Sequence, residues 1–162
     1  PMIHEGQEFL RSKRGIHNSY NRGDEVNAVR WTDRDRPIAA EALDYYRELI
    51  QLRRSPEGAA FRVSARPPSS YYRWILPRDP QALGYVVNTP RIHEGAGFIV
   101  LLNANGAETT FSVNLPPGRW RLIGDGERIN RAGLPDSEVM PGGQETSVRI
   151  PGLRAFIFMD GF

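Results

Sequence analysis

The chain of 162 residues contains no cysteine and only one lysine, Lys13. The absence of cysteine excludes disulfide bonds, thiolate zinc sites and cysteine nucleophiles. Lysine and arginine together number 21 against 19 acidic residues, so twenty of the bases are arginine and the formal charge is only +2. Acids and bases alternate, as in residues 33–36, instead of forming a basic stripe. We therefore expect no nucleic-acid partner.

Long hydrophobic runs are also missing. The longest apolar run, residues 98–102, is far shorter than the ~18 residues that predict a membrane span, so we expect no membrane partner. Residues 1–14 are polar and lack the apolar stretch of ~7 to 15 residues found in a secretory signal. No signal is thus predicted in the given chain, and both a cytoplasmic and a secreted location stay open.

The first part of the chain combines a polar segment with a helical pattern. Residues 1–35 begin with a short apolar stretch and continue as a loop rich in Asn, Arg, Gly and Asp. Because this loop exceeds the usual connection of ~4 to 6 residues, it is expected to be functional or disordered. Residues 37–54 carry apolar side chains at helical spacing, and Pro37 suits a first helical turn. They predict an amphipathic helix.

From residue 59 onward the pattern is typical of β-structure. Short apolar runs separated by Pro, Gly and Asn predict an antiparallel β-sandwich. The predicted strands are residues 60–65, 71–76, 83–88, 97–103, 109–115, 119–124, 146–150 and 153–159. Asn105-Gly106 predicts a tight hairpin with positive φ at both residues. Residues 91–96 and 125–145 are predicted to be longer loops.

Patterns that would identify a reaction by themselves are scarce. His4, His17 and His93 have no metal-ligand spacing, so we expect no metal and no cofactor. A sugar hydrolase of the retaining type needs two carboxyl groups ~5 to 5.5 Å apart on rigid elements. Glu5 and Glu8 are close in sequence, but proximity alone does not identify such a couple. No catalytic residue is assigned.

The opening reads PMIHEGQEFLRSKRGIHNSYNRGDEVNAVRW, and the predicted helix ends YYRELIQLRRSPEGAAFR. These segments resemble pullulanase-type members of the α-amylase superfamily, glycoside hydrolases that cleave α-1,6 branch linkages in pullulan, starch and glycogen. The matching positions are Pro1, His4, Gly6, Gln7, Glu8 and Phe9, then Asn18, Ser19, Tyr20, Asn21, Asp24, Asn27 and Trp31. Arg30 departs from the pattern, which usually has aspartate before the tryptophan.

The resemblance implies a C-terminal fragment of a larger enzyme. Residues 1–56 would be strand eight, the substrate-side loop and helix eight of a (β/α)8 barrel, and residues 57–162 a C-terminal β-sandwich domain. The family's catalytic carboxylates lie on strands four, five and seven, upstream of this segment. The chain is therefore expected to be inactive alone, and whether it acts as an enzyme is left open. Its expected partners are the remainder of the barrel and an α-glucan substrate.

In such barrels the loops after the strands form the active site. Tyr20 offers a flat apolar ring to a pyranose, while Asn18, Asp24 and Asn27 offer hydrogen bonds to sugar hydroxyls. These four residues are the predicted substrate-binding set. For Asp24 and Asn27 the alternative is hydrogen bonding within the loop.

Three further residues of this region are given supporting roles. The ring of Trp31 could also offer a flat face to a pyranose, but the favoured prediction is a buried anchor beneath the loop. Glu8 is predicted to fix the strand-end loop, and Gly6 to permit close backbone packing.

Two other functions remain open for the β-rich region. One is a carbohydrate-binding module that uses Tyr71, Tyr72, Trp74 or Trp120 as an aromatic platform. The other is a purely structural domain that covers apolar surface of the barrel. Aromatic residues that alternate on strands more often pack in a core or along a sheet, which favours the structural role for residues 59–162.

Overall fold

A computed structural model describes residues 2–89, 91–135 and 137–161. The chain divides into two compact units, Pro1–Glu48 and Leu49–Phe162. Pro1, the predicted start of a barrel strand, lies outside the described residues, and residues 2–4 form neither helix nor strand. The predicted division into a barrel segment (1–56) and a separate β-domain (57–162) stays a prediction.

The first unit is made of turns and helices. Three-residue and five-residue 3-10 turns lie at Gln7–Phe9 and Trp31–Asp35. Between them, α1 is a single helical turn, Asp24–Asn27. The long helix α2, Pro37–Arg54, follows and contains the boundary between the two units. Within the described ranges, no helix is both long and apolar enough to cross a membrane.

Helix α2 confirms the helix predicted for residues 37–54. Pro37 occupies its first turn, where a missing N–H costs no internal hydrogen bond, and Arg53 and Arg54 lie in the last turn, where positive charge suits the helix dipole. The buried Ser55 ends the helix: its hydroxyl donates to the carbonyl of Leu52 at 2.9 Å and accepts from the N–H of Gly58 at 3.1 Å. The side chain thus replaces bonds that a further helical turn would have made.

The second unit is mainly β, with antiparallel sheets, as predicted. Its strands are β1 (Tyr72–Ile75), β2 (Ala82–Val87), β3 (Phe98–Asn103), β4 (Thr109–Asn114), β5 (Arg119–Gly124), β6 (Val139–Pro141), β7 (Glu145–Ile150) and β8 (Arg154–Asp160). Six of them form a sheet in the order β1-β2-β3-β8-β5-β6, and β4 and β7 form a separate pair. All these pairings are antiparallel.

Both sheets contribute to one hydrophobic core. Strand β4 shows the expected alternation of buried and exposed side chains, which directs Phe111 and Val113 inward. These residues pack with Ile99 of β3 and the fully buried Trp120 of β5. The indole N–H of Trp120 donates to the carbonyl oxygen of Pro116 at 2.8 Å, so the ring is buried without an unpaired polar group.

The strand predicted at residues 60–65 is wrong. This segment contains the end of a 3-10 turn, Glu57–Phe61, followed by irregular chain. Ala60 is buried and Phe61 partly buried, because the ring of Phe61 lies 4.7 Å from that of Phe98 and the hydroxyl of Tyr71 donates to the carbonyl of Ala60 at 2.7 Å. The missed strand is β6, which lies inside the loop predicted for residues 125–145.

The hairpin predicted at Asn105-Gly106 is also wrong. Strand β3 pairs with β2 and β8, whereas β4 pairs with β7, so this connection passes from one sheet to the other. Neither residue of the dipeptide has a positive φ. The buried Asn103 supports this crossing, because its side-chain amide donates to the carbonyls of Ala107, Ile150 and Pro151 at 2.9 to 3.0 Å.

Asp79, which lies just before strand β2, also stabilises the connection between β3 and β4. Its carboxylate accepts hydrogen bonds from the Asn105 amide at 2.6 Å and the Thr109 hydroxyl at 3.1 Å. The bond from Asn105, together with one from the backbone N–H of Gln81, holds the pKa of Asp79 below its ordinary value. The ionised carboxylate therefore fits this corner best.

Candidate functional site

The polar loop of the first unit is closed by a hydrogen-bonded cluster, here called the Lys13–Asn27 network. It comprises Lys13, Ser19, Arg22 and Asn27. The side-chain amide of Asn27 donates to the backbone carbonyls of Ser19 and Arg22, both at 2.7 Å. Its amide oxygen accepts from the Lys13 ammonium at 3.2 Å, and the same ammonium donates to the Ser19 hydroxyl at 2.7 Å. The network encloses residues 14–26.

Local sequence explains why Asn27 can reach back across this loop. Gly23 precedes α1 in an extended conformation, and its carbonyl accepts from the N–H groups of Val26 and Asn27 at 3.1 Å. The N–H of Ala28 then donates to the carbonyl of Asp24 at 2.9 Å. This single turn sets Asp24 at its start and Asn27 at its end, about one helical turn apart.

Arg11 connects the two ends of the loop. Its guanidinium donates to the backbone carbonyls of Asn27 and, at 3.2 Å, of Glu5. Gly6 has φ +85°, and a Cβ placed there would lie 2.7 Å from Arg11 Cδ. Gly6 does permit a close approach, but of the Arg11 side chain and not of backbone as predicted, and a Cβ at this positive φ would push against Arg11.

A cleft of about 380 Å³ opens beside the network. Its walls combine charges of both signs with backbone and small apolar groups, and Arg30 and Asp33 within it form an ion pair at 3.4 Å. The lining residues are Arg11, Ser12, Lys13, Arg14, Asp24, Glu25, Val26, Ala28, Arg30 and Asp33. Such a mixed lining offers many hydrogen-bond donors and acceptors, which suits a hydroxyl-rich ligand.

The four predicted substrate-binding residues occupy different positions around this loop. Asp24 is exposed and lines the cleft. Tyr20 is 90% exposed, and its N–H donates to the side-chain oxygen of Asn18 at 3.2 Å. Asn27 is half-buried, and both its amide nitrogen and its oxygen bond within the network. Asn18, Tyr20 and Asp24 are thus all exposed, but the Asn18 side chain is tied to the loop by its bond from Tyr20, which leaves Tyr20 and Asp24 as the members that face outward.

Lys13 was not among the predicted site residues, although it is central to the geometry. The signal that could have identified it is compositional, since this is the one lysine in a chain with twenty arginines. A compact ammonium donates in three directions, unlike the planar guanidinium of arginine. The two acceptors on Ser19 and Asn27 fit that arrangement.

The prediction of a buried Trp31 is wrong. Its side chain is 58% exposed, and its ring rests on that of Phe9 at a centroid distance of 5.9 Å. Phe9, at 1% exposure, is instead the buried aromatic of this unit. Beside it, Gln7 accepts from the N–H of His4 at 3.3 Å and donates to the Tyr46 hydroxyl at 3.1 Å. Gln7 therefore makes the bonds that fix this turn, a role predicted for Glu8, which lies in the same turn.

On the second unit, the four aromatic residues of the predicted platform separate into two groups. Tyr71 and Trp120 are at most 1% exposed and belong to the interior. Tyr72 and Trp74 are 37% and 60% exposed, and both rings pack edge-on against Tyr85 at 6.3 and 5.8 Å. Burial raises the pKa of Tyr85, and the neighbouring Tyr72 raises it further, so Tyr85 stays an uncharged phenol at neutral pH.

Among the described residues, no group of three or more His, Cys, Asp or Glu side chains is placed to hold a metal ion. The loop offers positioned hydrogen-bond donors and acceptors and an exposed aromatic ring. That inventory can bind a polyol.

Comparison with known proteins gives a consistent result. The chain is 40% identical over 65 residues to the pullulanase of Bacillus subtilis strain 168, a match that spans 40% of this chain and 9% of that protein. Its fold resembles the crystal structure of pullulanase type I from the same organism complexed with maltose, with a TM-score of 0.72 and 25% identity over 100% of this chain and 21% of that one. No protein-family model matches the chain.

Two further solved structures support the fold alone. The pullulanase from Bacillus acidopullulyticus has a TM-score of 0.69 and 23% identity, and the match covers 96% of this chain and 18% of that one. A Group B Streptococcus pullulanase in complex with maltotetraose has a TM-score of 0.68 and 20% identity, over 91% of this chain and 20% of that one. The predicted resemblance to pullulanase-type enzymes is thus confirmed, and the chain spans about a fifth of the length of the solved relatives.

Proposed function

We propose that the chain is the C-terminal part of a pullulanase-like glycoside hydrolase that cleaves α-1,6-glucosidic linkages in pullulan, starch or glycogen. In this proposal residues 1–56 complete a (β/α)8 catalytic barrel as its last strand, substrate-side loop and last helix. Residues 57–162 form the C-terminal β-sandwich. Similarity to solved pullulanases over the whole chain supports this assignment, and one of those relatives was crystallised with maltose.

The observation that carries the substrate assignment is the shape of the loop. The polar groups inside the loop are hydrogen-bonded to one another in the Lys13–Asn27 network. Asp24, in contrast, faces a polar cleft, and Tyr20 is 90% exposed. An aromatic ring can hold the apolar face of a pyranose, and a carboxylate can accept hydrogen bonds from its hydroxyl groups; Tyr20 offers the first from the same loop, outside the residues that line the cleft, and Asp24 offers the second from the cleft wall. We therefore retain Asn18, Tyr20, Asp24 and Asn27 as the substrate-side set, with Asn27 acting from within the loop.

Replacing Asp24 with alanine in the full-length enzyme should lower kcat/KM for pullulan by the equivalent of ~1 to 3 kcal/mol, if a charged hydrogen bond to substrate is lost. Steady-state kinetics measure the change. Asp35→Ala is the matched control, because Asp35 is an exposed acid that does not line the cleft. An equal loss in both variants would contradict a specific role for Asp24.

The chain by itself should release no reducing sugar from pullulan at any pH. Hydrolysis of this class needs two facing carboxyl groups, and in the family these lie on barrel strands outside this segment. The isolated loop would also bind maltotriose no tighter than millimolar, because a few hydrogen bonds in open water, each worth ~0.5 to 1.5 kcal/mol, do not exceed the ordering cost of binding. Reducing-sugar assays and titration calorimetry test both statements, and dose-dependent hydrolysis by pure chain would refute the proposal.

A carbohydrate-binding module is the second candidate, supported by one observation. Tyr72 and Trp74 present partly exposed rings, both braced by Tyr85. In a module of this kind, preorganised aromatic rings would give micromolar affinity without the rest of the barrel. If calorimetry finds such affinity and Trp74→Ala removes it, this candidate replaces the fragment proposal as the account of glucan binding.

A further inference from the structure

Lys13 joins two points of the loop that are distant in sequence. Its ammonium bonds to the hydroxyl of Ser19, which is only 9% exposed, and to the side chain of Asn27, fourteen residues further along the chain. Hydrogen bonds from a charged donor are shorter and stronger than those between neutral groups. The segment that Lys13 closes carries Asn18, Tyr20 and Asp24.

The remaining bonds of Asn27 show what Lys13 controls. The Asn27 amide nitrogen fixes the carbonyls of Ser19 and Arg22, on either side of Tyr20, and the backbone of Asn27 ends the helical turn that begins at Asp24. The orientation of one amide group therefore sets the positions of both outward-facing residues. Lys13 fixes that orientation, because only the amide oxygen can accept from an ammonium.

We propose that Lys13 is a positioning residue: its ammonium orients Asn27 so that Tyr20 and Asp24 are held ready for the substrate before it arrives. The identity of the ligand rests on the proposed function. The hydrogen bonds of the Lys13 ammonium to Ser19 and Asn27, called the Lys13 clamp below, do not depend on it. Without the ammonium, Ser19 and Asn27 lose a shared donor and the loop must be ordered at the expense of binding energy. Lys13 acts through its neighbours and needs no contact with sugar.

The clamp can be tested on the chain alone, because Lys13 is its only side-chain amine of this kind. Acetylation by an N-hydroxysuccinimide ester, followed by peptide mass spectrometry, reports the reactivity of Lys13 directly. We expect Ser19→Ala and Asn27→Ala to raise the acetylation rate about fivefold to tenfold toward that of urea-unfolded chain, since each removes a bond that holds the ammonium. Equal rates in the unmodified chain, both variants and unfolded chain would overturn the clamp.

The positioning role is tested in the full-length enzyme. Lys13→Met should lower kcat/KM for pullulan about tenfold, and the combined loss with Asp24→Ala should be smaller than the sum of the two, because the part of the Lys13 effect that acts through Asp24 is already lost while the part that acts through Tyr20 remains. Arg66→Met is the control, since it removes one positive charge from an exposed side chain of the β-rich unit. Fully additive losses, or an unchanged kcat/KM, would refute positioning. A full-length protein without pullulan hydrolysis would instead refute the proposed function and leave the acetylation result standing.

Discussion

Replacing Trp120 with alanine is expected to lower the free energy of unfolding of the chain by about 3 to 5 kcal/mol. The indole is fully buried in the cluster shared by the two sheets, where it meets residues such as Phe111 and Ile150. Its removal leaves a cavity that the antiparallel sheets cannot close, and it leaves the carbonyl of Pro116 without the donor found at 2.8 Å.

Trp74→Ala is the matched control, since it removes the same side chain from a site that is 60% exposed. We expect it to cost less than about 1 kcal/mol, mainly through lost contact with Tyr85. Urea titration followed by circular dichroism, with similar slopes for both variants, would give the comparison. A similar loss in the two variants would contradict the burial of Trp120 in a common core.

The regular elements were the most predictable part of this chain. Helix α2 occupies the residues that its spacing predicted, and most strands fall within one or two residues of their apolar runs. Helices and strands both follow from the periodicity of apolar residues, which can be read directly from the sequence. The segment at residues 60–65 has a similar apolar character, but its start packs through Phe61 on Phe98 instead of pairing with a strand. Burial alone does not distinguish these two outcomes.

The connection at Asn105-Gly106 shows what local patterns omit. The dipeptide suits a two-residue hairpin, but the choice of partner strand is made by contacts far away in sequence. Asn103 binds the carbonyls of Ile150 and Pro151, and Asp79 binds Asn105 and Thr109. These bonds direct the chain into the second sheet, and none is visible in the turn itself.

For the candidate site, the sequence indicated which residues are exposed better than it indicated which hydrogen bonds they make. The resemblance placed Tyr20 and Asp24 on the substrate side, and the structure leaves both exposed. The resemblance could not reveal that the Asn27 side chain forms its hydrogen bonds inside the loop, or that Lys13 is part of the same network. Which of several polar residues faces inward depends on loop conformation, and no periodic pattern encodes it.

The side-chain amide of Asn88 in the β-rich unit is another residue whose partners no local pattern reveals, and its loss is expected to lower stability strongly. Asn88 is completely buried at the end of β2, with φ +58°. Its amide nitrogen lies 3.1 to 3.4 Å from the carbonyl oxygens of His93, Glu94, Gly95 and Ala96, and its oxygen accepts from the N–H of His93 at 3.1 Å. One side chain therefore organises the loop predicted for residues 91–96.

Asn88→Ala is expected to destabilise the chain by about 2 to 4 kcal/mol, because buried and partly buried carbonyls and an N–H lose their partner and alanine tolerates a positive φ less well than asparagine. Chemical denaturation measures the loss. Asn130→Ala is the control, since Asn130 is exposed and its side chain accepts one bond, from the N–H of Ala132. A cost for Asn88→Ala no larger than that of the control would contradict the organising role.

Asn88→Asp separates electrostatics from packing at the same site. The new carboxylate would keep the shape of the amide but direct negative charge at the carbonyl oxygens of residues 93–96, where the amide had donated. Burial and this repulsion both favour the protonated acid, so its pKa in the folded chain should lie above the ordinary value. A raised carboxyl pKa means that the folded state takes up the proton first. Relative to the unmodified chain, the variant should therefore be least stable near neutral pH and recover as the pH falls through the folded pKa. A stability difference that does not change with pH would contradict the claim that the carbonyl oxygens of residues 93–96 surround this side chain and fix the loop.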